Sequence, residues 1–181
     1  MNRTVIVDIQ GGLGNQMFCY ALARAINSER TYIDTHAYGK SHESREYGLC
    51  NYNISLHEAN SFVLTLKAIK RRLIKLFNLD VEYPYLEKEE FVFDSVVVNG
   101  DKENVRGYWQ NLKYFDHIKY QLIQEFTLRN IELNENIQNI IKQVKNENSV
   151  AIHIRRGDYV SDPACTNRFC INSIDYYVNA M

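Results

Sequence analysis

Residues 4–26 read TVIVDIQGGLGNQMFCYALARAI, and the change of rhythm inside them decides the fold. Thr4 to Ile9 is β-branched and apolar apart from Asp8, the pattern of a buried strand. Gly11, Gly12 and Gly14 break it. Met17, Phe18, Ala21, Leu22, Ala25 and Ile26 then recur at helical spacing, with Asn15 expected as the N-cap. Strand, glycine turn and helix open an α/β unit, and residues 31–33 read as its second strand. Backbone N–H groups at such a helix start suit an anion or a polar sugar group. The turn is also close to a dinucleotide fingerprint. Gly12 and Gly14 fit, and Asp34 stands near the place of the ribose-binding acid, but Met17 occupies a position that wants Gly or Ala. On these residues an NAD(P)-dependent oxidoreductase and a ligand-free tight turn both stay open.

Working outward, the next informative stretch is residues 150–159, VAIHIRRGDY. Val150, Ile152 and Ile154 alternate with Ala151, His153 and Arg155, so a short buried strand is expected to run into a turn at Gly157. His153, Arg155, Arg156 and Asp158 then gather at its carboxyl end, where open α/β sheets bind ligands. Guanidinium forks match phosphate oxygens, and the expected device is a phosphate or diphosphate clamp. A salt-bridged strand end, with Asp158 neutralising one arginine, accounts for the same charges. Arg156-Gly157-Asp158 also spells an adhesion tripeptide, but it abuts an apolar strand and no secretory feature accompanies it.

Composition narrows the classes. A chain of 181 residues suggests one domain or one and a fraction. Apolar content of 45% with 24% charged residues is ordinary for a soluble globular protein. A net charge of -1 gives no global field for nucleic acid. Cys19, Cys50, Cys165 and Cys170 contain no CxxC pair, so neither a zinc site nor a redox motif is expected, and they read as thiols of a reducing compartment. His36 and His42 lie six apart, without partners at ligand spacing, and no metal is expected. The first ten residues are too short and too polar for a signal peptide or a membrane span.

Residues 34–53 read as loop. Residues 56–79 are the longest helical candidate, with Phe62, Val63, Leu66, Ile69, Leu73, Leu76 and Phe77 on one face. Lys67, Lys70, Arg71, Arg72 and Lys75 crowd the rest. The expectation is a core helix with a solvated basic face, the alternative a basic amphipathic helix lying on an anionic membrane or a partner. Short strands are expected at residues 91–93, 96–98 and 105–108, with Asn99-Gly100 as a turn. Helices are expected over 116–126, 134–146 and 173–180, and a boundary near 147–149 divides residues 1–148 from 149–181.

Three stretches together, GGLGNQMFCYA from Gly11, GYWQNLKYF from Gly107 and VAIHIRRGDYV from Val150, with Asp175-Tyr176-Tyr177 after them, resemble the bacterial α-1,2-fucosyltransferases of glycosyltransferase family 11. The resemblance implies a GT-B-like α/β fold, of which residues 1–148 would be the acceptor-side Rossmann-type half and 149–181 the start of the GDP-fucose-binding half. It implies transfer of fucose from GDP-fucose to a glycan hydroxyl, with inversion and with no metal or other cofactor. By the same resemblance Arg155 and Arg156 hold the donor diphosphate, and His153 and Asp158 shape the pocket. Gly12, Gly14 and Asn15 approach from the opposite half, which makes Asn15 and Arg155 the expected catalytic pair. The implied partners are a nucleotide sugar and a glycan, in a bacterial cytoplasmic setting, with residues 56–79 available for a peripheral contact at the inner membrane face. No general base stands out. Two full halves need about 300 residues at ordinary domain size, so the chain reads as a fragment with weak or no activity. A non-catalytic α/β anion-binding module is the reading from another class.

Overall fold

The computed structural model describes residues 4–26, 30–39, 45–129, 132–154, 156–161, 163 and 172–180. The chain divides into two compact units, Met1–Ile131 and Glu132–Met181. The first is built on a four-stranded sheet in the order β2-β1-β4-β3, where β1 is Thr4–Asp8, β2 Arg30–Asp34, β3 Tyr85–Leu86 and β4 Asn104–Arg106. Every pairing is parallel, with Val7 opposite Ile33 on one side and Val105 on the other. Parallel neighbours need a crossover, and helix α1, Leu13–Ala25, supplies it between β1 and β2. As an inner strand β1 is paired on both edges, and Val5, Ile6 and Val7 are all buried, as a near-continuous apolar run requires.

Helix α1 starts earlier than expected. Gly12 stands at the cap position without a side-chain cap, and Asn15 lies within the first turn. The Gln16 N–H already bonds the Gly12 carbonyl at 3.0 Å, and the Asn15 side chain is taken by a bond outside the helix. Near its other end, Tyr20 donates to the Glu125 carboxylate, which also accepts from Arg24 at 3.0 Å and Ser55 at 3.0 Å. That hub ties α1 to α4, Lys119–Glu125, a helix entered through a 3-10 turn at Asp116–Ile118.

Helix α2, Ser61–Leu76, is capped by Asn60, whose side chain accepts the Val63 N–H at 3.0 Å. Its orientation corrects the core-helix expectation. None of its residues is buried, and Phe62, Leu66, Ile69, Leu73 and Leu76 point to solvent, with Phe77 beyond them. The side turned inward carries Lys67, which meets Asp8 and Asp34 at the ends of β1 and β2. The physical reason is electrostatic: two nearly buried carboxylates without a cation would cost several kcal/mol.

The strand expectations fare unevenly. β4, Asn104–Arg106, overlaps the strand expected over 105–108 but starts one residue earlier and ends two earlier, and β3 was not anticipated. Residues 91–93 are irregular, with Phe91 at φ 66°. Residues 96–98 belong to a helical turn, α3, Ser95–Val98, because Asp94 caps it by accepting the Val96 N–H at 3.0 Å and only Val97 needs burial. The 34–53 loop carries 3-10 turns at His36–Gly39 and Leu49–Asn51.

The second unit contains α5, Glu135–Asn146, within the helix expected over 134–146 and capped by Asn134, then α6, Gly157–Ser161, and α7, Ile174–Ala180. Residues 151–154 form no strand, and Val150 is 83% exposed, which corrects the buried-strand expectation. A parallel strand must pair its N–H and C=O groups with neighbours, and all four strands among the described residues lie in the first unit. No helix among the described residues is long and apolar enough to cross a membrane.

Candidate functional site

The carboxyl ends of β1, β2 and β4 open into a groove of about 810 Å³. Asp8, Ile9 and Gln10 line it after β1, Asp34, His36 and Ala37 after β2, and Arg106 at the end of β4. Helix α2 makes the facing wall with Leu64, Lys67, Ala68, Arg71, Arg72 and Lys75. The chain leaves β1 for β2 on one side and returns to β4 on the other, so the groove sits where the strand order reverses. Parallel α/β sheets bind ligands at that place.

Charge in the groove is organised around Lys67. Its ammonium lies 2.6 Å from Asp8 Oδ1 and 2.7 Å from Asp34 Oδ2. Asp8 also accepts from Arg106 Nε at 2.9 Å and from Asn104 Nδ2 at 2.8 Å. Burial alone would push the Asp34 carboxyl up, but the hydrogen bond and charge of Lys67, with the His36 N–H, hold it below its ordinary value. Asp34 is therefore fixed as a carboxylate that neutralises Lys67, and it is unsuited to act as a general base near neutrality. The same pairing occupies the acid that a ribose hydroxyl would need in the nicotinamide reading. Among the described residues Arg71, Arg72 and Lys75 pair with no carboxylate, which leaves the α2 wall cationic.

The glycine turn lies beside this edge of the sheet and is locked from several directions. Gly11 has φ +76°, and a Cβ there would meet Asn15 Nδ2 at 2.8 Å and the Tyr108 ring at 3.1 Å. Its carbonyl accepts from Tyr38 Oη at 2.8 Å and Gln16 Nε2 at 3.0 Å. Gln16 is fully buried, donates also to the Glu46 carbonyl at 2.8 Å and accepts the Gly48 N–H at 2.9 Å. Sequence reasoning passed over Gln16, whose one signal was a polar residue between Asn15 and the apolar positions of α1. Gly14 has no atom within 4 Å of the place its Cβ would take, so its side of the helix start is open.

Residues 107–110 pack onto the same turn. A Cβ on Gly107 would stand 2.4 Å from Glu87 Cβ, and no side chain fits there. The Glu87 carboxylate accepts the N–H groups of Tyr108 at 2.6 Å and Trp109 at 3.0 Å, fixing Trp109 at φ 57° with its ring buried edge-on to Tyr114. Gln110 Nε2 donates to Asn15 Oδ1 at 2.7 Å, and Cys19 Sγ donates to the Gly107 carbonyl at 3.2 Å. Two stretches separated by about ninety residues thus form one construction, with Asn15 at the joint.

Of the residues expected from sequence to form a site, the structure brings Gly12, Gly14 and Asn15 together at the start of α1. His153 and Arg156 are exposed in the second unit. Asp158 lies in α6 with its side chain outside the described residues, and Arg155 is outside them altogether, as are His42, Cys165 and Cys170. Among the described residues no three His, Cys, Asp or Glu side chains gather to hold a metal.

Comparison with known proteins bears on the chain as a whole. The model of Glycosyl transferase family 11 matches residues 4–181. An alpha-1,2-colitosyltransferase of Escherichia coli is 34% identical over 95% of this chain and 63% of its own length. The O-antigen biosynthesis glycosyltransferase WbnK, also from Escherichia coli, is 24% identical over 96% of this chain and 65% of its own. The chain therefore spans less than two thirds of the length of either relative. No solved structure matches it.

Proposed function

The chain belongs to glycosyl transferase family 11, and from that we propose that it forms the acceptor-side half, and the beginning of the donor half, of an inverting α-1,2-glycosyltransferase of GT-B type. We take GDP-fucose as the donor and a glycan hydroxyl as the acceptor, with no metal. The observation that carries the reading is the groove at the strand-order reversal, placed next to a glycine turn whose Gly14 side is open. The linkage is supported by the name of the 34% identical relative, an alpha-1,2-colitosyltransferase, which also supports a second reading in which the sugar is colitose.

In this reading residues 1–148 carry the acceptor and residues from 149 onward begin the donor site. The acceptor hydroxyl attacks the anomeric carbon from the face opposite the nucleotide. The bond from that carbon to the β-phosphate oxygen breaks, and its electron pair leaves with the GDP. Arg155 and Arg156 stabilise the negative charge that grows on the diphosphate, as fixed donors do in an oxyanion hole. His153 and Asp158 shape that pocket, and Asn15, oriented by Gln110, is the polar group offered from the acceptor side. The hydroxyl proton passes to a base that these residues do not supply.

Titration of the chain with GDP, GDP-fucose, GDP-colitose and NAD tests the reading. Saturable GDP binding that Arg155→Ala abolishes is expected, and the better of the two sugar donors then decides between fucose and colitose. NAD binding without GDP binding would overturn it. Turnover at this length is expected to be weak or absent.

A further inference from the structure

Helix α2 turns its apolar stripe away from the protein. Phe62, Leu66, Ile69, Leu73, Leu76 and Phe77 fall within one sector about 100° wide at helical pitch, and each is at least 45% exposed. A contiguous apolar surface of this kind on a folded chain marks an interaction site. Each edge carries a basic residue, Lys70 on one side and Arg72, at the rim of the groove, on the other, at positions set by the same pitch. Lys70 pairs with Glu103 and still shows 42% of its side chain, while Arg72 pairs with no carboxylate among the described residues.

We propose that this face of α2 seats the protein on an anionic lipid bilayer, with the helix axis in the plane of the surface. An amphipathic helix with low overall hydrophobicity and cations beside its apolar face is the structure that sinks to the boundary of headgroups and acyl chains. Two features select this occupant. The groove on α2 is lined from the opposite sector by Leu64, Lys67 and Ala68 and reaches round to Arg72, while no stripe residue lines it, so among the described residues the stripe is the convex side of the helix. A second copy related by a two-fold axis would bring the basic residues beside the two stripes together, with no acid on α2 itself to meet them. Anionic lipid instead lets Lys70 and Arg72 lay their stems on the apolar surface and their charges among phosphates. The groove lies on the opposite side of the same helix, so seating the stripe leaves the groove uncovered.

Flotation of the 181-residue chain with vesicles of phosphatidylglycerol and of phosphatidylcholine tests the proposal. Recovery with the anionic vesicles should exceed that with the neutral ones at least tenfold, and 0.5 M salt should reduce the difference. Leu66→Gln with Leu73→Gln should lower anionic-vesicle recovery about tenfold while far-UV circular dichroism stays unchanged. In a chain with Cys50, Cys165 and Cys170 replaced by Ser, an environment-sensitive dye on Leu66→Cys should shift to the blue with the anionic vesicles, a readout that does not depend on the double variant folding. Absence of flotation with phosphatidylglycerol, an unshifted dye, or a dimer in sedimentation that the double variant dissolves would each overturn it.

Discussion

Helices α1 and α2 stand in opposite relation to the patterns that announce them. α1 carries a diluted apolar stripe interleaved with Gly14, Asn15, Gln16 and Arg24, yet Cys19, Tyr20, Ala21, Leu22 and Ala23 are consecutively buried. α2 carries the cleaner stripe, and none of its residues is buried. The difference lies in position. α1 is the crossover between two parallel strands and is pressed against the sheet and the loops around it, so even its polar residues are enclosed and must find partners. α2 meets the carboxyl edge of the sheet, where the strongest local demand comes from two carboxylates, and Lys67 decides which side turns in. Apolar periodicity states that a helix has an apolar face, and it does not state what that face meets.

The comparison breaks most sharply under paired truncations. Leu22→Ala removes a fully buried side chain and should cost about 2–5 kcal/mol. Leu66→Ala, on the outward stripe, should change stability by less than about 0.5 kcal/mol. Urea unfolding followed by Trp109 fluorescence measures both, and similar losses would show that the α2 stripe is packed against protein after all.

Lys67→Met probes the contact that orients α2. It leaves Asp34 without its cation and should cost about 3 kcal/mol, with Asp8 still held by Arg106. The sign with pH follows from Asp34. Its folded carboxyl is held below its ordinary value, so the stability it contributes is complete above about pH 4 and is lost as pH falls through the lowered folded value. In Lys67→Met the main lowering influence is gone and burial remains, so the acid unfolding midpoint should move to higher pH. An unmoved acid midpoint would mean that Lys67 does not set the Asp34 carboxyl.

Thiol chemistry gives the smallest effect and the finest resolution. Burial pushes the Cys19 thiol up to about 12, whereas Cys50 is exposed. Alkylation at pH 8 with peptide mapping should label the Cys50 peptide in the native state and the Cys19 peptide only after unfolding. Early labelling at Cys19 would show that α1 opens more readily than its packing implies.

The sheet's first half was readable because β1, the glycine turn and β2 rest on local patterns: β-branched runs, a break, then helical spacing. The strands β3 and β4 are two and three residues long, too short for period two to stand out, and the Val96–Val98 run misled because Asp94 offered a cap that alternation does not record. At the glycine turn, Asn15 was expected as the N-cap of α1, and the structure gives that position to Gly12. Its side chain instead accepts from Gln110. Gln16 and Glu87 were missed because their importance lies in bonds to backbone groups far away in sequence. Thus the amino-acid order alone determined the α/β class, the strand-turn-helix opening and the family-bearing stretches, all of which depend on neighbours a few residues apart. Only the tertiary structure decided which face of α2 turns inward, which carboxylates Lys67 joins, and that the turn at Gly11 and the segment at Gly107 are one construction. Those outcomes depend on desolvation and hydrogen bonding between groups that sequence spacing does not place together.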